Sequence, residues 1–376
     1  MAKKAPITKE QIENNKHIYY EVFNAHYADG LVRNLLENMD NLYFRSRFIG
    51  FEDYPERNNG DRPLLFASNH SGMAFPWDAI MFTSGIYRLN NYQMKNSVRA
   101  LTAPMLSEST LMNPFLVPDF WKKAGGVDAT FLNFETMMHY KEANLMMYPE
   151  GVPGIGKGFP RRYQLQRFAT SFVRISIKYK TDVIPISTVN GEYINPYALK
   201  SELLNKISRL IGIPFIPIGI MTLLIPFQPW LFYFGFPAKL VFVKGKRIKP
   251  YEMIDKPYEE ITDEEFREIA DKIKSQMQME LTDAVEKYGK IHYKPAELLS
   301  LWAKNVKKFP YFLPCCWASI FSEYDLLFKA KGKIEAFKLR FISIITIIKH
   351  NPLVIAFFIP LLGWIPILIR GMKKPK

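Results

Sequence analysis

Cysteine is scarce in this sequence. Its 376 residues include two cysteines, Cys315 and Cys316, which are adjacent in the chain. Adjacent cysteines cannot join distant parts of a fold, so a disulfide framework is excluded and a reducing compartment is indicated. The opening segment, MAKKAPITKEQIENNKHIYY, is polar and lacks the apolar core of a signal peptide. We therefore expect the main folded part to face the cytoplasm.

Acidic residues are also in deficit. The chain has 36 acidic and 50 basic residues, a net charge of +14. Such an excess is typical of proteins with an anionic partner, which can be nucleic acid, a membrane surface or a phosphorylated substrate. Basic and acidic residues are interleaved along most of the chain, and large apolar segments occur near residues 210 and 355, which is unusual for a nucleic-acid-binding protein. The predicted partners are membrane lipids, with no nucleic acid.

Uninterrupted apolar runs are few. Residues 211–236 are apolar, but Pro214, Pro217, Pro226 and Pro229 break them too often for a membrane-spanning helix. This segment is expected to line a site for an acyl chain or to face a membrane, and the alternative is ordinary core. Near the C-terminus, residues 353–369 are expected to form a monotopic or re-entrant membrane anchor, with a spanning helix or a buried helix as alternatives.

The stretch from Pro63 to Asp78, PLLFASNHSGMAFPWD, is the main candidate for chemistry. Its pattern predicts a short apolar strand, a polar turn that holds His70, and a helix that begins at Pro76. A carboxylate is favoured in a first helical turn, so Asp78 is expected near the imidazole. A neutral imidazole that donates its other N–H to a carboxylate can take a proton from an alcohol. The alternative is that Asp78 only caps a helix and His70 only hydrogen-bonds a turn.

A second stretch, Asn144–Phe159, repeats this order. An apolar strand runs into the turn Pro149-Glu150-Gly151 and then into a glycine-rich loop. Two strands that end in polar turns are expected to share one crevice, which in a wound α/β sheet lies outside the carboxyl ends of the strands. The amides of the loop and the ammonium group of Lys157 could face an anion there.

These stretches resemble conserved blocks of the phospholipid/glycerol acyltransferase family. Asn69-His70 with the following Asp78 resembles the family's histidine–aspartate signature, and Tyr148-Pro149-Glu150-Gly151 resembles its proline–glutamate–glycine signature. Val183-Ile184-Pro185-Ile186-Ser187 is similar to the proline-containing strand of the family's core. The three blocks occur in the family's order, and the resemblance covers roughly residues 47–245.

The resemblance implies an α/β fold with a mixed, mostly parallel central sheet flanked by helices. It also implies transfer of a fatty acyl group from acyl-CoA or acyl carrier protein to a hydroxyl of a glycerolipid or lysophospholipid, with no further cofactor and no metal. His70 would take the hydroxyl proton, and Asp78 would fix the imidazole tautomer. The expected substrate-binding residues are Asn69, Ser71, Glu150, Gly151, Lys157, Arg161 and Arg162.

Two features depart from the family's pattern. Seven residues separate the histidine from the aspartate, a longer interval than the family's usual one. Pro153 stands where many members carry an arginine for the acceptor's phosphate, and Lys157, Arg161 and Arg162 could take over that task. The alternatives are an acyltransferase for a neutral, non-phosphorylated alcohol and a membrane-bound lipid-binding protein on an inactive scaffold.

Three parts are expected along the chain. Residues 1–46 are predicted to form a helical N-terminal segment, and residues 47–294 the catalytic domain. Thr262 and Glu265 form the pattern of a capping box ahead of a long amphipathic helix that closes this domain. Residues 295–376 are expected to form a helical, apolar extension that associates with a membrane.

Overall fold

The computed structural model of the chain describes residues 7–73, 75–108, 113, 115, 117–210, 217–337, 339 and 341–371. Seven β-strands occur in these residues: β1 Arg47–Ile49, β2 Leu65–Ser68, β3 Ser97–Thr102, β4 Val127–Asp128, β5 Ala143–Met147, β6 Val183–Val189 and β7 Val241–Lys244. They form one sheet in the order β1-β7-β6-β2-β5-β3-β4, with β2 at its centre. All neighbours are parallel except β6 and β7. The predicted mixed, mostly parallel sheet is confirmed.

Helices flank this sheet. The α-helices of the described residues are α1 Lys9–Asn15, α2 Ala25–Leu31, α3 Glu37–Met39, α4 Trp77–Leu89, α5 Met105–Glu108, α6 Phe120–Lys123, α7 Phe131–Met137, α8 Gly151–Ile155, α9 Ser171–Tyr179, α10 Glu202–Leu210, α11 Ile220–Leu224, α12 Asp263–Tyr288, α13 Pro295–Lys304, α14 Phe309–Phe312, α15 Trp317–Lys331, α16 Phe341–His350 and α17 Trp364–Gly371. The 3-10 helices are Lys16–Tyr19, Phe159–Arg161, Gly191–Ile194, Pro229–Tyr233, Pro250–Glu252, Tyr258–Glu260, Val306–Lys308, Pro314–Cys316 and Pro352–Phe358, and the segments Val32–Leu36 and Asp40–Phe44 are π-helical.

Local sequence signals explain several of these boundaries. The apolar residues before the first polar turn form β2, all of which is buried. Helix α4 begins one residue later than predicted, with Pro76 as its N-cap. The capping box at Thr262 and Glu265 is confirmed, and both of its reciprocal hydrogen bonds are formed at the start of α12. The glycine-rich segment after β5 was predicted as a loop, which is wrong for residues 151–155, because they close into the short helix α8.

The N-terminal and C-terminal helices pack against the same side of the sheet. One hydrophobic cluster contains Leu35 from the N-terminal segment, Phe82 from α4, and Trp317 from α15. Trp317 contacts Trp77 edge-on, with ring centroids 4.8 Å apart. A second cluster on the sheet includes residues of α9 and α12. Side chains from all three predicted parts of the chain are therefore buried together in the first cluster. The division into three parts remains a prediction.

The apolar segments near residues 220 and 360 are short helices and turns. Residues 211–216 of the first segment lie outside the described residues, and its remainder contains α11 and the 3-10 helix Pro229–Tyr233. The second segment contains the 3-10 helix Pro352–Phe358 and α17. Within the described part of the chain, none of the helices has both the length and the hydrophobicity that a bilayer crossing requires.

Candidate functional site

Three adjacent parallel strands, β6, β2 and β5, end at one edge of the sheet. The residues that follow them are His70 after β2, Tyr148 and Glu150 after β5, and Glu192 after β6. Such a crevice outside the carboxyl ends of parallel strands is the usual ligand site of a wound sheet. The crevice predicted from the two polar turns is therefore present, and a third strand contributes to it.

His70 is held between two groups from the β5 turn. Its imidazole stacks on the ring of Tyr148, with centroids 4.1 Å apart and planes 14° from parallel. Gly154 passes so close that an added Cβ would lie 3.1 Å from Cδ2 of His70. Burial lowers the pKa of His70 to about 3, and the positive charge of Lys157 acts in the same direction. The imidazole is therefore neutral near pH 7.

Asp78 lies in the first turn of α4 and is 1% exposed. Burial raises the pKa of its carboxyl to about 6, although hydrogen bonding by the Ala79 backbone N–H lowers it. Its Oδ2 atom is buried and accepts no hydrogen bond from the described residues, and the buried hydroxyl of Tyr148 likewise has no partner among them. Within the described part of the chain, no hydrogen bond or ion pair joins Asp78 to the His70 ring.

The Glu150 carboxylate joins the turn that holds His70 to the segment ahead of α9. One carboxylate oxygen, Oε1, accepts a hydrogen bond of 3.0 Å from the backbone N–H of His70, and the other, Oε2, accepts one of 2.6 Å from the backbone N–H of Gln166. The side chain is 3% exposed. Glu150 therefore fixes the position of the histidine through its main chain.

Asn69 and Ser71, on either side of the histidine, are also buried. The side-chain amide of Asn69 donates to the carbonyl of Thr188 at 3.0 Å and accepts from its N–H at 2.7 Å. These two bonds extend the pairing of β2 with β6 beyond the last strand residue. The Ser71 hydroxyl lies beside Asp78 and lowers the pKa of the carboxyl, but its oxygen has no hydrogen-bond partner of ordinary geometry among the described residues. Asn69 therefore holds the turn that presents His70.

Lys157 forms a buried ion pair with Glu192. The ammonium nitrogen lies 3.4 Å from Oε1 of Glu192, and the two side chains are 0% and 1% exposed. The same Oε1 atom accepts a hydrogen bond of 2.9 Å from the backbone N–H of Tyr163. Sequence reasoning missed Glu192. Its one available signal was a carboxylate placed directly after the long apolar strand β6.

The remaining predicted site residues, Gly151, Arg161 and Arg162, differ in whether they line the cavity of the site. Gly151, with a positive φ of 57°, lines the cavity described below. Arg161 and Arg162 are exposed, and the guanidinium of Arg162 lies 4.9 Å from the ring centroid of Phe159. Neither arginine is among the described residues that line the cavity.

The crevice opens into a cavity of about 930 Å³. His70 and Tyr148 lie on its wall, and most of the remaining described lining is apolar. Representative lining residues are Phe75, Ile80, Leu101, Met105, Trp121, Val152, Ile155, Met221, Ile225, Leu231, Phe232, Phe234, Trp364 and Ile367. Its volume is near the upper end of the range of about 300–1,000 Å³ for small-molecule sites. The prediction that residues 211–236 line a site agrees with the position of residues 217–234 on this wall.

Together these features define an α/β protein with a neutral histidine on the wall of an apolar cavity. No known family model matches the chain. It is 29% identical over 197 residues to an uncharacterized protein of Mycobacterium tuberculosis (strain ATCC 25618 / H37Rv), an alignment that covers 52% of this chain and 51% of that protein. An uncharacterized protein of Mycobacterium leprae (strain TN) is 27% identical over 197 residues, 52% of this chain and 49% of that protein. The chain spans about half the length of the curated relatives it matches.

Among solved structures, the chain is similar to the 1-acyl-sn-glycerophosphate (LPA) acyltransferase PlsC from Thermotoga maritima. The TM-score is 0.37 and the sequence identity 13%, and the alignment covers 73% of this chain and 84% of that one.

Proposed function

We propose that this protein is an O-acyltransferase that moves a fatty acyl group from acyl-CoA or acyl carrier protein to a hydroxyl of a glycerolipid or lysophospholipid. The observation that carries the proposal is the position of His70 on the wall of the large apolar cavity. An apolar cavity of this size accommodates an acyl chain, and the imidazole on its wall is neutral near pH 7, so it has a ring nitrogen with which to act as a base. The sequence blocks around His70 and Glu150 resemble those of acyltransferases.

In the proposed reaction, the acceptor hydroxyl attacks the carbonyl carbon of the acyl thioester. The imidazole of His70 takes the hydroxyl proton as the new carbon–oxygen bond forms. The carbon–sulfur bond then breaks, the proton passes from the imidazolium to the leaving thiolate, and the products are an ester and a free thiol. The chemistry needs no covalent acyl-enzyme.

Asp78 has a conditional role in this mechanism. An imidazole with a pKa of about 3 is a weak base, and general-base catalysis is most efficient when the pKa lies near the working pH. A hydrogen bond from the ring to the Asp78 carboxylate would raise the pKa of His70 and fix its tautomer. We propose that this bond forms when the substrates occupy the site, since Oδ2 of Asp78 is free to accept it.

Membrane association belongs to the same proposal. A set of exposed apolar side chains, here called the apolar rim, comes from residues 218–227 and 353–369. Its members are Ile218, Ile220, Leu223, Leu224, Phe227, Leu353, Ile355, Phe358, Ile359, Leu361, Leu362, Ile365, Leu368 and Ile369. The two segments are joined by hydrogen bonds of 2.7 Å from Leu361 N to Phe227 O and from Trp364 Nε1 to Pro226 O. Met221 and Trp364 in these segments also line the cavity, so a lipid leaving a bilayer at the rim would meet the cavity directly.

The test is an acyl-transfer assay on the purified chain. Radiolabelled acyl-CoA or acyl carrier protein is incubated with a panel of lysolipids and monoacylglycerols, and the free thiol and labelled lipid are measured. We expect both products from the wild type and neither from His70→Ala. His17→Ala serves as the control, because His17 is exposed on the N-terminal segment, and it should retain wild-type activity. If the wild type and His70→Ala are equally inactive across the panel, the proposed acyltransferase activity is refuted.

A second candidate function is lipid binding without turnover. It is favoured by one observation, that no hydrogen bond or ion pair joins His70 to Asp78 within the described residues. The two functions differ in one pair of measurements. A binding protein would take up a fluorescent fatty acid into the cavity and release no thiol from acyl-CoA.

A further inference from the structure

The charge around His70 bears on which acceptor the site can hold. We propose that the acyl acceptor is a lipid alcohol with an uncharged head, such as a monoacylglycerol, because the pairing of Lys157 with Glu192 leaves that ammonium group unavailable to a phosphorylated one. This inference rests on the proposed acyl transfer and narrows its substrate class.

The first observation is the excess of negative charge. Three buried carboxylates, those of Asp78, Glu150 and Glu192, lie in the turns around His70, and Lys157 is their one buried ammonium partner among the described residues of these turns. Glu192 holds that ammonium at 3.4 Å, with both side chains shielded from solvent. The ammonium is therefore already balanced by Glu192, and neither residue is among the described residues that line the cavity, so Lys157 offers no free positive charge to a phosphate held there.

The second observation concerns geometry. In lysophosphatidate the phosphate is attached to the carbon next to the one with the free hydroxyl, so a hydroxyl in reach of His70 brings its phosphate into the same crevice. A buried phosphate needs arginine or lysine partners. Among the described residues that line the cavity, Arg99 is the single lysine or arginine. Its guanidinium donates to the carbonyls of Gly125 and Tyr19, at 2.9 and 3.0 Å.

Arg99 is also too distant from the imidazole. Strand β5 pairs Leu145 with both Arg99 and Leu65, so Arg99 lies level with a residue five positions before His70. At about 3.3 Å per residue, the three steps from Leu65 to the end of β2 at Ser68 span roughly 10 Å, and β3 lies two strands away from β2 at about 4.8 Å per strand. With its guanidinium held by the carbonyls of Gly125 and Tyr19, Arg99 is not placed to bind the phosphate of an acceptor whose hydroxyl reaches His70.

The third observation concerns buried polar atoms around His70 that have no hydrogen-bond partner among the described residues. They are Oδ2 of Asp78, Oε2 of Glu192, the hydroxyls of Ser71 and Tyr148, and Nζ of Lys157. The ammonium can only donate, but it lies 3.4 Å from Oε1 of Glu192 and is shielded from solvent. The two carboxylate oxygens can only accept while ionised, so a hydroxyl can donate to one of them, whereas a phosphate dianion only accepts and is repelled by both. The spare hydroxyl of a glycerol head therefore matches Oε2 of Glu192 and leaves Oδ2 of Asp78 for the imidazole.

The experiment compares two acceptors that share one acyl chain, 1-oleoylglycerol and 1-oleoyl lysophosphatidate, with oleoyl-CoA as donor. We expect kcat/KM for the neutral acceptor to exceed that for the phosphorylated one by at least ten-fold. Glu192→Gln leaves the Lys157 ammonium without its counter-charge, so the ratio should shift toward lysophosphatidate by ten-fold or more. Glu252→Gln is the matched control, because Glu252 pairs with Lys249 at 2.9 Å on the surface, and it should leave the ratio unchanged.

Folding and binding are measured on the same proteins. If Glu192→Gln does not fold, the double variant Lys157→Met with Glu192→Leu removes both charges together and should keep the preference for the neutral acceptor. Thermal-shift binding to each lipid separates this inference from the proposed function. Binding that favours 1-oleoylglycerol without any thiol release would refute acyl transfer and keep the assignment of the ligand class. Preference of the wild type for lysophosphatidate, in turnover or in binding, overturns the inference, as does an unshifted ratio in a folded Glu192→Gln.

Discussion

The Glu150 carboxylate accepts a hydrogen bond of 3.0 Å from the backbone N–H of His70. Its second oxygen accepts from Gln166, at 2.6 Å, so both oxygens are used. Glu150→Gln replaces one acceptor by an NH₂ group that faces an N–H donor. We expect the free energy of unfolding to fall by about 1–3 kcal/mol and kcat to fall at least ten-fold, because His70 loses its support. Chemical denaturation and the thiol-release assay measure the two effects.

Glu13→Gln is the control for this change. Glu13 pairs with Lys16 at 2.6 Å on the surface, and exposed pairs contribute about 0–1 kcal/mol. Wild-type turnover by Glu150→Gln would mean that the glutamate does not position the histidine.

Gly154 allows the short helix α8 to approach the turn that holds His70. An added Cβ would lie 2.4 Å from Cβ of Glu150 and 3.1 Å from Cδ2 of His70. Gly154→Ala should therefore displace both side chains and lower kcat at least ten-fold. Gly60→Ala is the matched control, because an added Cβ at Gly60 meets nothing within 4 Å. If the two alanine variants turn over equally fast, this close approach has no importance for catalysis.

The buried carboxyl of Asp78 predicts opposite effects on stability and activity. Its pKa is about 6 in the folded protein against an ordinary value of 3.8. Between these values the folded state binds more protons than the unfolded state, so the free energy of unfolding falls as the pH rises through this window. Asp78→Asn removes the ionisation, so it should be more stable than the wild type by up to about 3 kcal/mol at pH 8, and similar to it below pH 4.

The same variant should lose at least about 100-fold in kcat, because an amide cannot stabilise the imidazolium as a carboxylate does. The titration of His70 affects both proteins equally and cancels in their difference. Urea denaturation between pH 4 and pH 8 checks the stability, with the exposed Asp283→Asn as the control. A stability difference that does not change with pH would contradict the burial of a charged carboxylate here.

The apolar rim predicts binding to lipid bilayers. Leu223 and Ile365 are 73% and 46% exposed, so replacing both by glutamate should leave thermal stability unchanged. Binding to phosphatidylcholine/phosphatidylglycerol vesicles in a sedimentation assay should weaken at least ten-fold, because two charges would have to enter the bilayer interface. Met279→Glu is the control, since Met279 is 64% exposed on α12. Equal loss of binding in the control would assign the effect to net charge.

The sequence was sufficient for the features that depend on local patterns. The apolar runs before the two polar turns predicted β2 and β5, the resemblance to a proline-containing family strand predicted β6, and the turn residues predicted that His70 and Glu150 would share a crevice. The capping box predicted where α12 begins. Each of these signals lies within a few residues, where hydrophobic periodicity and cap chemistry act.

The features that were missed depend on contacts between distant residues. Glu150 meets the His70 backbone across 80 positions, so nothing near either residue indicated that the carboxylate serves the main chain. Lys157 was predicted to face an anion from a ligand, and the anion beside it is Glu192, which lies after a different strand. Local sequence shows that a charge is present, but the packing of three strands decides what neutralises it.

The edge-on contact of Trp317 with Trp77 links the C-terminal helices to the helix that carries Asp78. Trp77 directly precedes Asp78, and the two indole rings lie 4.8 Å apart in the core. Helix α15 therefore packs against and stabilises the first turn of α4, which carries Asp78, although more than two hundred residues separate the two helices. A chain shortened ahead of Trp317 would expose the indole of Trp77 to water beside Asp78. Loss of turnover in such a protein could therefore come from a displaced α4 as well as from a lost lipid contact.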